Sequence, residues 1–500
     1  MSLTRRHTFL GLSSGISALA LGQFGGCSSS DRPSSSHDLI KLDGIAQVDL
    51  VKSGQLSSRD LVHAALDRIA SIDPQINAFT DVKPELALSK ADAVDISKPL
   101  AGLPYALKDL NSYPDMKFEM GTKMFEGRVG SKVTPYTEKI DQSGVVILGK
   151  TATPEFGLLG TTEPLAYKSC RNPWNLDHSA GGSSGGAAAA VAARMLPMAQ
   201  ASDGGGSIRN PAAQCGVYGL KPSRGRFADQ GNPKREIPIS IKHCVSMSVR
   251  DNALMLALTE AQNGSLSPIG VVAKANIKPK RIAMTLNDLS GFAPHKDVAA
   301  AVEDAARVLQ NMGHEIIPVE KGPGLPQDLY QDFVVLWGES VVPIVAAAER
   351  ASGGPARASG LLEGWTLDLA EKYAQIPDAE IAAAMARLKA AGEQLNSWLS
   401  GYDAWLTPSA SRPAPPLGWT RGDLPFEQNL QRSTELVGHF ALHNVAGTPG
   451  ASIPWGVSGG LPIGVQLSGA IGAEKTLLEL SYALEEARPW IDQLPPVVAA

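Results

Sequence analysis

The sequence predicts a single large α/β domain behind an N-terminal leader. Three observations support this: short apolar β-branched runs of strand length, amphipathic or Ala-rich segments of helical length, and the alternation of the two along the chain. The 500 residues include 43% hydrophobic and 19% charged residues, with a net charge of −5. This balance is typical of a globular chain and argues against a disordered polyanion or a nucleic-acid-binding protein.

The first predicted helix begins at Ser57. Asp60 follows at the spacing of a capping box, and apolar residues then recur at helical spacing as far as Ile69. We expect this helix to end before Pro74, because proline cannot continue a regular helix. The apolar run Val145–Leu148 follows a glycine and predicts a short buried strand.

The second half of the chain repeats the alternation. Val298–Met312 is amphipathic and predicts a helix, and Ile316–Val319 predicts the strand after it. Two further helices are predicted at Ala379–Ser397 and Thr476–Ala487. The stretch Gly322–Pro377 is rich in Gly, Ala and aromatic residues and has the least regular pattern.

The N-terminus has the features of an export signal. Arg5 and Arg6 precede a moderately apolar run, Phe9–Leu21, which is diluted by Gly and Ser. A basic start, a short apolar segment and small residues after it predict a secretory signal over residues 1–26. The paired arginines favour the twin-arginine route. We therefore expect an exported, periplasmic protein.

Cys27 follows this leader and opens the Ser-rich segment 27–37, which we interpret as a tether to a domain at 38–500. Cys27 is either the lipid-accepting residue of a membrane-tethered lipoprotein or a cysteine near an ordinary cleavage site, and the sequence leaves both open. The remaining cysteines show no paired spacing, which argues against a zinc site or a disulfide framework. They are Cys170, Cys215 and Cys244.

Two Gly/Ser clusters are the candidate catalytic segments. They occupy 181–186 and 203–209, and the small-residue segment Ala187–Met195 between them predicts a helix. Dense glycines let backbone N–H groups converge on one point, as an oxyanion hole before a nucleophilic serine requires. A flexible linker or a phosphate-binding loop are the alternatives.

A serine nucleophile needs a base. A Ser-His-Asp triad needs a histidine, and none of the nine histidines lies within either cluster. Lys108 ends the apolar run 102–107, and burial would lower its pKa until it could act as a neutral base. The alternative is a lysine at a strand end that pairs with Asp109. The sequence alone does not separate these two interpretations.

The motifs around these residues resemble those of the amidase signature family, whose hallmark is a Ser-Ser-Lys triad in a Gly/Ser-rich segment. The resemblance covers about 45–490, with a signature core at about 103–226. It implies a single large domain with a mixed β-sheet core covered by helices on both faces, and a homodimer. The matching blocks are Leu103–Lys108, Gly149–Gly157, Asn172–Gly186, Ala201–Pro222, Leu406–Pro408, Asn444–Pro454 and Gly460–Gly469.

By this resemblance Ser207 is the nucleophile, Ser183 the proton shuttle and Lys108 the base of an amidase. The expected reaction is hydrolysis of a carboxylic amide through an acyl-enzyme, without a metal or organic cofactor. The backbone N–H groups expected to form the oxyanion hole are those of Gly204, Gly205, Gly206 and Ser207. The residues expected to support this network are Ser184, Asp203 and Arg209.

Departures from the common family pattern indicate a subtype. The loop reads Asp203-Gly204-Gly205 where many relatives have Asp-Thr-Gly, and Ala180 and Ala187 replace a frequent Pro and Ser. This form resembles the branch that contains the 6-aminohexanoate-cyclic-dimer hydrolases. The substrate is therefore expected to be a small-molecule amide, linear or cyclic.

Other functions compete with this prediction. The chain could be a catalytically inactive lipoprotein that binds ligands, although the triad residues are intact, or resemble an amidotransferase subunit, which an export signal disfavours. Gly144–Thr151 matches the nucleotide-binding pattern GxxxxGK[ST], but its central residues are Val-Val-Ile-Leu, which favour a buried strand.

The acyl-binding pocket is expected within Gly322–Pro377 and about Trp419–Asn444. Trp337, Trp365 and Tyr373 would suit an apolar or aryl acyl group, or they are ordinary core residues.

Overall fold

The computed structural model describes residues 39–228, 236–276, 278–288, 291–320, 322–325 and 329–499. The signal predicted at 1–26, the tether at 27–37 and Cys27 lie outside these residues and stay predictions. Cys170, Cys215 and Cys244 are buried free thiols.

The described strands form three sheets. β1 (Phe79–Val82), β2 (Pro104–Lys108) and β3 (Val146–Thr151) form a small sheet in the order β1-β3-β2, and β4 (Arg171–Asn172) pairs with β5 (Asn175–Ser179). The large sheet has eight strands in the order β10-β9-β11-β13-β12-β7-β8-β6 and mixes parallel with antiparallel pairs. Its strands are β6 (Met198–Asp203), β7 (Tyr218–Lys221), β8 (Ile241–Ser246), β9 (Arg281–Met284), β10 (Glu315–Pro318), β11 (Ala404–Pro408), β12 (Gly450–Ser458) and β13 (Leu461–Ser468).

Fifteen α-helices lie in the described part of the chain. They are α1 (Gly44–Lys52), α2 (Ser58–Ile76), α3 (Pro84–Asp92), α4 (Pro135–Gln142), α5 (Gly185–Ala192), α6 (Arg209–Cys215), α7 (Val249–Thr259), α8 (Lys296–Asn311), α9 (Leu329–Ser352), α10 (Ala356–Ser359), α11 (Gly364–Ala374), α12 (Asp378–Leu399), α13 (Phe426–Val437), α14 (Phe440–Ala446) and α15 (Glu474–Ala487).

Helices cover both faces of the large sheet, as predicted. Successive side chains of a strand point to opposite faces. On β8, Cys244 packs into one core cluster with residues of α7, α8 and α15, whereas Val245 packs into another with residues of α2, α5 and α6. On β9, Ala283 contacts a third cluster built from α9, α12 and α14. The predicted architecture is confirmed.

Helix α2 confirms its predicted start and corrects its predicted end. Ser57 and Asp60 form the reciprocal capping box. The helix continues through Pro74 to Ile76; Pro74 lacks one donor of the last turn, and only two helical residues follow it, so any bend displaces little of the helix. Asn77 closes this turn in the left-handed conformation, and its N–H donates to Asp73 O at 2.7 Å.

The irregular stretch Gly322–Pro377 contains three helices, α9, α10 and α11. Helix α9 buries residues on more than one side: Phe333 packs into the cluster shared with α12 and α14, and Val341 packs against α11. A helix buried on several sides has no single apolar stripe, which explains its unclear pattern. By length and composition, α9 is the one described helix that could cross a membrane, and residues along it pack within the core.

Strand β3 excludes a nucleotide-binding loop at Gly144–Thr151. Residues Val146–Thr151 are a buried strand rather than a turn around phosphates. Lys150 is fully buried and its Nζ lies 3.5 Å from Asp109 Oδ1. Asp109 therefore pairs with Lys150, which leaves Lys108 free for other contacts.

Candidate active site

Lys108 is the last residue of β2, and its side chain is fully buried. Strand β2 lies beside β6, where Lys108 N donates to Gln200 Oε1 at 3.0 Å. Lys108 Nζ lies 2.7 Å from Ser183 Oγ, 2.9 Å from Ser184 Oγ and 3.2 Å from Ser202 Oγ. The ammonium therefore sits among hydroxyl groups rather than at a solvated strand end.

Burial lowers the pKa of Lys108 to about 7, and the negative charge of Asp203 opposes part of this effect. A neutral lysine has two N–H donors and one lone pair. Ser184 Oγ donates to Ser202 O at 3.1 Å, so it accepts from Lys108. If the second N–H is donated to Ser202 Oγ, the lone pair faces the hydroxyl of Ser183. This arrangement suits a base that takes a proton from Ser183.

Glycines bring Ser183 to this position. The Gly182–Ser183 peptide bond is cis. A Cβ at Gly182 would lie 2.4 Å from Thr161 O, so only glycine fits here. Asn210 Nδ2 donates to Gly182 O at 3.0 Å. The whole cluster 181–186 is buried and leads directly into α5, which excludes a flexible linker.

The loop that carries Ser207 is folded around the carboxylate of Asp203 at the end of β6. Asp203 accepts from Gly206 N at 2.7 Å, from Ile208 N at 3.2 Å and from Arg209 Nε at 2.9 Å. Burial alone would raise the pKa of Asp203, but the Arg209 guanidinium holds it well below its usual range. The loop is therefore organised by a buried charge pair.

Gly206 occupies a backbone position that requires glycine. Its φ is 121°, and a Cβ would lie 2.6 Å from the ring of Phe440. Its N–H donates to Asp203, which differs from the prediction that it faces an oxyanion. Among the described residues, the N–H groups of Gly204, Gly205 and Ser207 have no acceptor, and these residues line the cavity.

Arg209 is buried and does not line the cavity. Besides Asp203, it donates to Gln466 Oε1 at 3.0 Å, to Phe440 O at 3.0 Å and to Asn444 Oδ1 at 2.8 Å. Asn444 in turn donates to Asp203 Oδ1 at 2.9 Å. This set of bonds fixes the loop to α14 and β13.

Several residues of the site were not predicted from the sequence. Ser202 is a third hydroxyl on Lys108, and Gln200 positions the Lys108 backbone. Asn444 and Gln466 hold the loop of Ser207 from distant elements. The sequence held one signal for three of them, since the matching motif blocks include Ser202, Asn444 and Gln466.

A cavity of about 210 Å³ opens over these groups, and both Ser183 and Ser207 line it. Trp337 forms part of the wall, and Ser433 and Val437 contribute from α13, in the predicted regions. Trp365 lies behind Trp337, with ring centroids 6.1 Å apart. Of the three aromatic residues considered, only Trp337 reaches the cavity, since Tyr373 packs against the backbone at 338.

The described lining is uncharged. Its apolar members are Leu110, Phe156, Leu158, Leu159, Ile239, Trp337 and Val437. No histidine, carboxylate or guanidinium is among the described lining residues. The described chain also contains no group of His, Cys, Asp or Glu arranged to hold a metal ion. The polar groups that line the cavity are hydroxyls, backbone N–H groups and the Asn210 carboxamide, and the buried amine of Lys108 contacts the hydroxyls of Ser183 and Ser202.

Comparison with known proteins gives a consistent match. The family model described as Amidase matches residues 60–478. The chain is 32% identical over 486 residues to the 6-aminohexanoate-cyclic-dimer hydrolase of Paenarthrobacter ureafaciens, covering 91% of this chain and 97% of that protein. A solved 6-aminohexanoate cyclic dimer hydrolase in complex with substrate has a TM-score of 0.84 at 28% identity, covering 92% of this chain and 99% of that one. A bacterial aryl acylamidase of the amidase signature enzymes has a TM-score of 0.80 at 30% identity, covering 90% and 96%.

Proposed function

The chain belongs to the amidase signature family and is a hydrolase of amide carbon–nitrogen bonds, and we propose that it works through an acyl-enzyme on Ser207, with Ser183 carrying the proton to Lys108. One observation supports this most: the buried amine of Lys108 contacts Ser183 Oγ at 2.7 Å at the floor of the cavity that Ser207 also lines. A base of pKa about 7 is suited to proton transfer at neutral pH.

The proposed first step moves two protons and forms one bond. Ser183 gives its proton to the lone pair of Lys108 and takes the proton of Ser207, whose Oγ attacks the amide carbonyl carbon. The carbon–nitrogen bond then breaks, and the same route returns a proton to the leaving nitrogen, because an amide anion is a poor leaving group. Water hydrolyses the ester at Ser207 by the reverse proton path. No metal or organic cofactor enters this scheme.

The developing negative charge on the carbonyl oxygen needs donors. We assign this role to the N–H groups of Gly204, Gly205 and Ser207, while the N–H of Gly206 is used by Asp203. Removing one such donor from a serine hydrolase costs about 3–4 kcal/mol of transition-state stabilisation. Asp203 and Arg209 act through the shape of the loop.

The substrate we propose is an uncharged small-molecule amide. The described cavity lining offers apolar side chains, hydroxyls and the carboxamide of Asn210, with no charge to bind a carboxylate or an ammonium group. The substrates named by the similar proteins, a cyclic dimer of 6-aminohexanoate and aryl acylamides, are of this kind.

Hydrolysis assays test the proposal. The panel contains aryl anilides, aliphatic amides and cyclic lactam oligomers, with Ser207→Ala and Lys108→Met beside the parent protein. We expect turnover of at least one class and a loss of at least about 10⁴-fold in both variants. Ser340→Ala is the matched control, because Ser340 lines the same cavity with its hydroxyl bonded to Trp337 O. A folded parent protein that hydrolyses nothing and leaves Ser207 inert to a fluorophosphonate would favour the binding-protein alternative.

We also propose export through the twin-arginine route, which rests on Arg5, Arg6 and the apolar run after them. A fusion of residues 1–37 to a reporter should reach the periplasm and stay in the cytoplasm when both arginines become lysine. Metabolic labelling with palmitate tests lipidation at Cys27. Light scattering of the protein lacking 1–26 tests the homodimer.

A further inference from the structure

Ser433 is a buried serine whose hydroxyl has no hydrogen-bond partner in the described part of the chain. It lies on α13 and is 4% exposed. No described residue forms a hydrogen bond with Ser433 Oγ. Its neighbour Thr434 behaves in the usual way for a helix, since its Oγ1 donates to Leu430 O at 2.9 Å. Ser433 Oγ does not form the corresponding hydrogen bond to a backbone carbonyl of the preceding turn.

The unpartnered hydroxyl belongs to the wall of the catalytic cavity. Ser433 lines it together with Ser207, beside Val437 and the apolar side chains of the opposite elements. A second serine of the wall, Ser340, is satisfied by Trp337 O at 2.6 Å. A buried hydroxyl without a hydrogen bond is costly, so a ligand in the cavity that supplies the missing partner would gain binding energy from Ser433.

We propose that Ser433 Oγ hydrogen-bonds a second polar group of the substrate, separate from the amide that Ser207 attacks. The cavity then selects uncharged amides that carry another carbonyl or N–H over hydrocarbon analogues of the same length. This inference rests on the proposed function and deepens it, because it names the substrate class as an uncharged diamide. A hydroxyl both donates and accepts, so either end of a second amide satisfies it.

Matched substrates test this inference. The probes are para-nitroanilides of ω-acetamidoalkanoic acids with acyl chains from butanoic to octanoic, each paired with the unbranched fatty-acid anilide of equal chain length. The measured quantity is the ratio of kcat/KM for diamide to monoamide. At one chain length, Ser433→Ala should lower this ratio roughly 2- to 12-fold, the loss of one neutral hydrogen bond. The lower ratio should come from a higher KM for the diamide. Ser340→Ala should leave the diamide-to-monoamide ratio of kcat/KM as it is in the parent protein.

Binding to inactive protein separates this inference from the mechanism. In a Ser207→Ala background, calorimetry should show the same fall in diamide preference when Ser433→Ala is added. A fall in binding preference without any turnover in the parent would uphold the role of Ser433 and refute the acyl-enzyme. Ratios that Ser433→Ala leaves unchanged at every chain length, in turnover and in binding, would overturn the inference. A melting temperature no lower than that of the parent confirms that the variant is folded.

Discussion

The pH dependence of kcat/KM should report the ionisation of Lys108. Below neutral pH the amine is protonated and cannot accept the proton of Ser183. We therefore expect kcat/KM to rise about tenfold per pH unit in the acid limb and to level off above an apparent pKa of about 7. The substrate should be an uncharged anilide, so that only the free enzyme titrates.

The size of the effect follows from burial. The pKa of Lys108 falls from 10.5 to about 7 because the low-polarity surroundings disfavour its charged form. This shift corresponds to about 5 kcal/mol in favour of the neutral amine. At pH 7 about half of the molecules then hold a neutral Lys108, against roughly 0.03% for an ordinary lysine. The fold thus raises the concentration of active base about a thousandfold.

The assay measures initial rates from pH 5 to 10 with overlapping buffers, and fluorophosphonate labelling of Ser207 over the same range. The two profiles should share one midpoint. A rate that keeps rising to pH 10, with an apparent pKa near that of free lysine, would refute the assignment of Lys108 as a buried base.

Lys221 is the control for this assignment. Burial, with the positive charge of Arg209 adding to it, also lowers the pKa of Lys221 to about 7, but Lys221 Nζ donates to Pro222 O at 3.1 Å, whereas Lys108 Nζ contacts Ser183. Folded Lys221→Met protein should keep the midpoint of the profile, whereas a shifted midpoint would assign the ionisation to Lys221.

Three further predictions concern the loop, the base and stability. Gly206→Ala should lower kcat at least about 100-fold, because its φ of 121° and the adjacent ring exclude a side chain; steady-state kinetics and circular dichroism check this. Ser202→Ala removes an acceptor 3.2 Å from Lys108 and should lower kcat about tenfold with KM within about twofold, whereas an unchanged kcat would contradict the role of Ser202. Burial and the Glu155 carboxylate raise the pKa of Glu363 from 4.5 to about 8, so this group stabilises the fold below pH 4.5 and loses that effect as pH rises through 8. Glu363→Gln should therefore gain free energy of unfolding relative to the parent between pH 5 and 8, by up to about 5 kcal/mol in urea titrations, and a constant difference would refute this.

Helices were predictable from the sequence where a capping motif or a regular apolar pattern marks them. The capping box of Ser57 set the start of α2, and the amphipathic pattern of Val298–Met312 matches α8 within two residues at each end. Helix α9 was not predictable, because residues such as Phe333 and Val341 pack into different clusters and leave no stripe. The rule that a helix ends before a proline was wrong for Pro74, which lies inside α2 two residues before its end.

The motifs indicated which residues could form a site, but not which strands bring them into contact. Lys108 contacts Ser183, and Ser183 and Ser207 line one cavity, while the prediction that these three residues form a catalytic triad stays a prediction. Ser202 contacts Lys108 across 94 residues of sequence because β2 and β6 lie side by side, which no local pattern indicates. The N–H direction of Gly206 likewise depends on the backbone conformation that the Asp203 carboxylate stabilises.

Trapping the acyl-enzyme tests the central claim most directly. The reaction with a rapidly hydrolysed anilide would be quenched in acid after a few milliseconds. Acid protonates Lys108 and therefore slows deacylation. Mass spectrometry of the intact protein and of its proteolytic peptides would then locate the acyl group. We expect the acyl mass on the peptide that contains Ser207, and no acylation of Ser207→Ala. Acylation of Ser183 or Ser184 in its place, or turnover that survives in Ser207→Ala, would contradict the account.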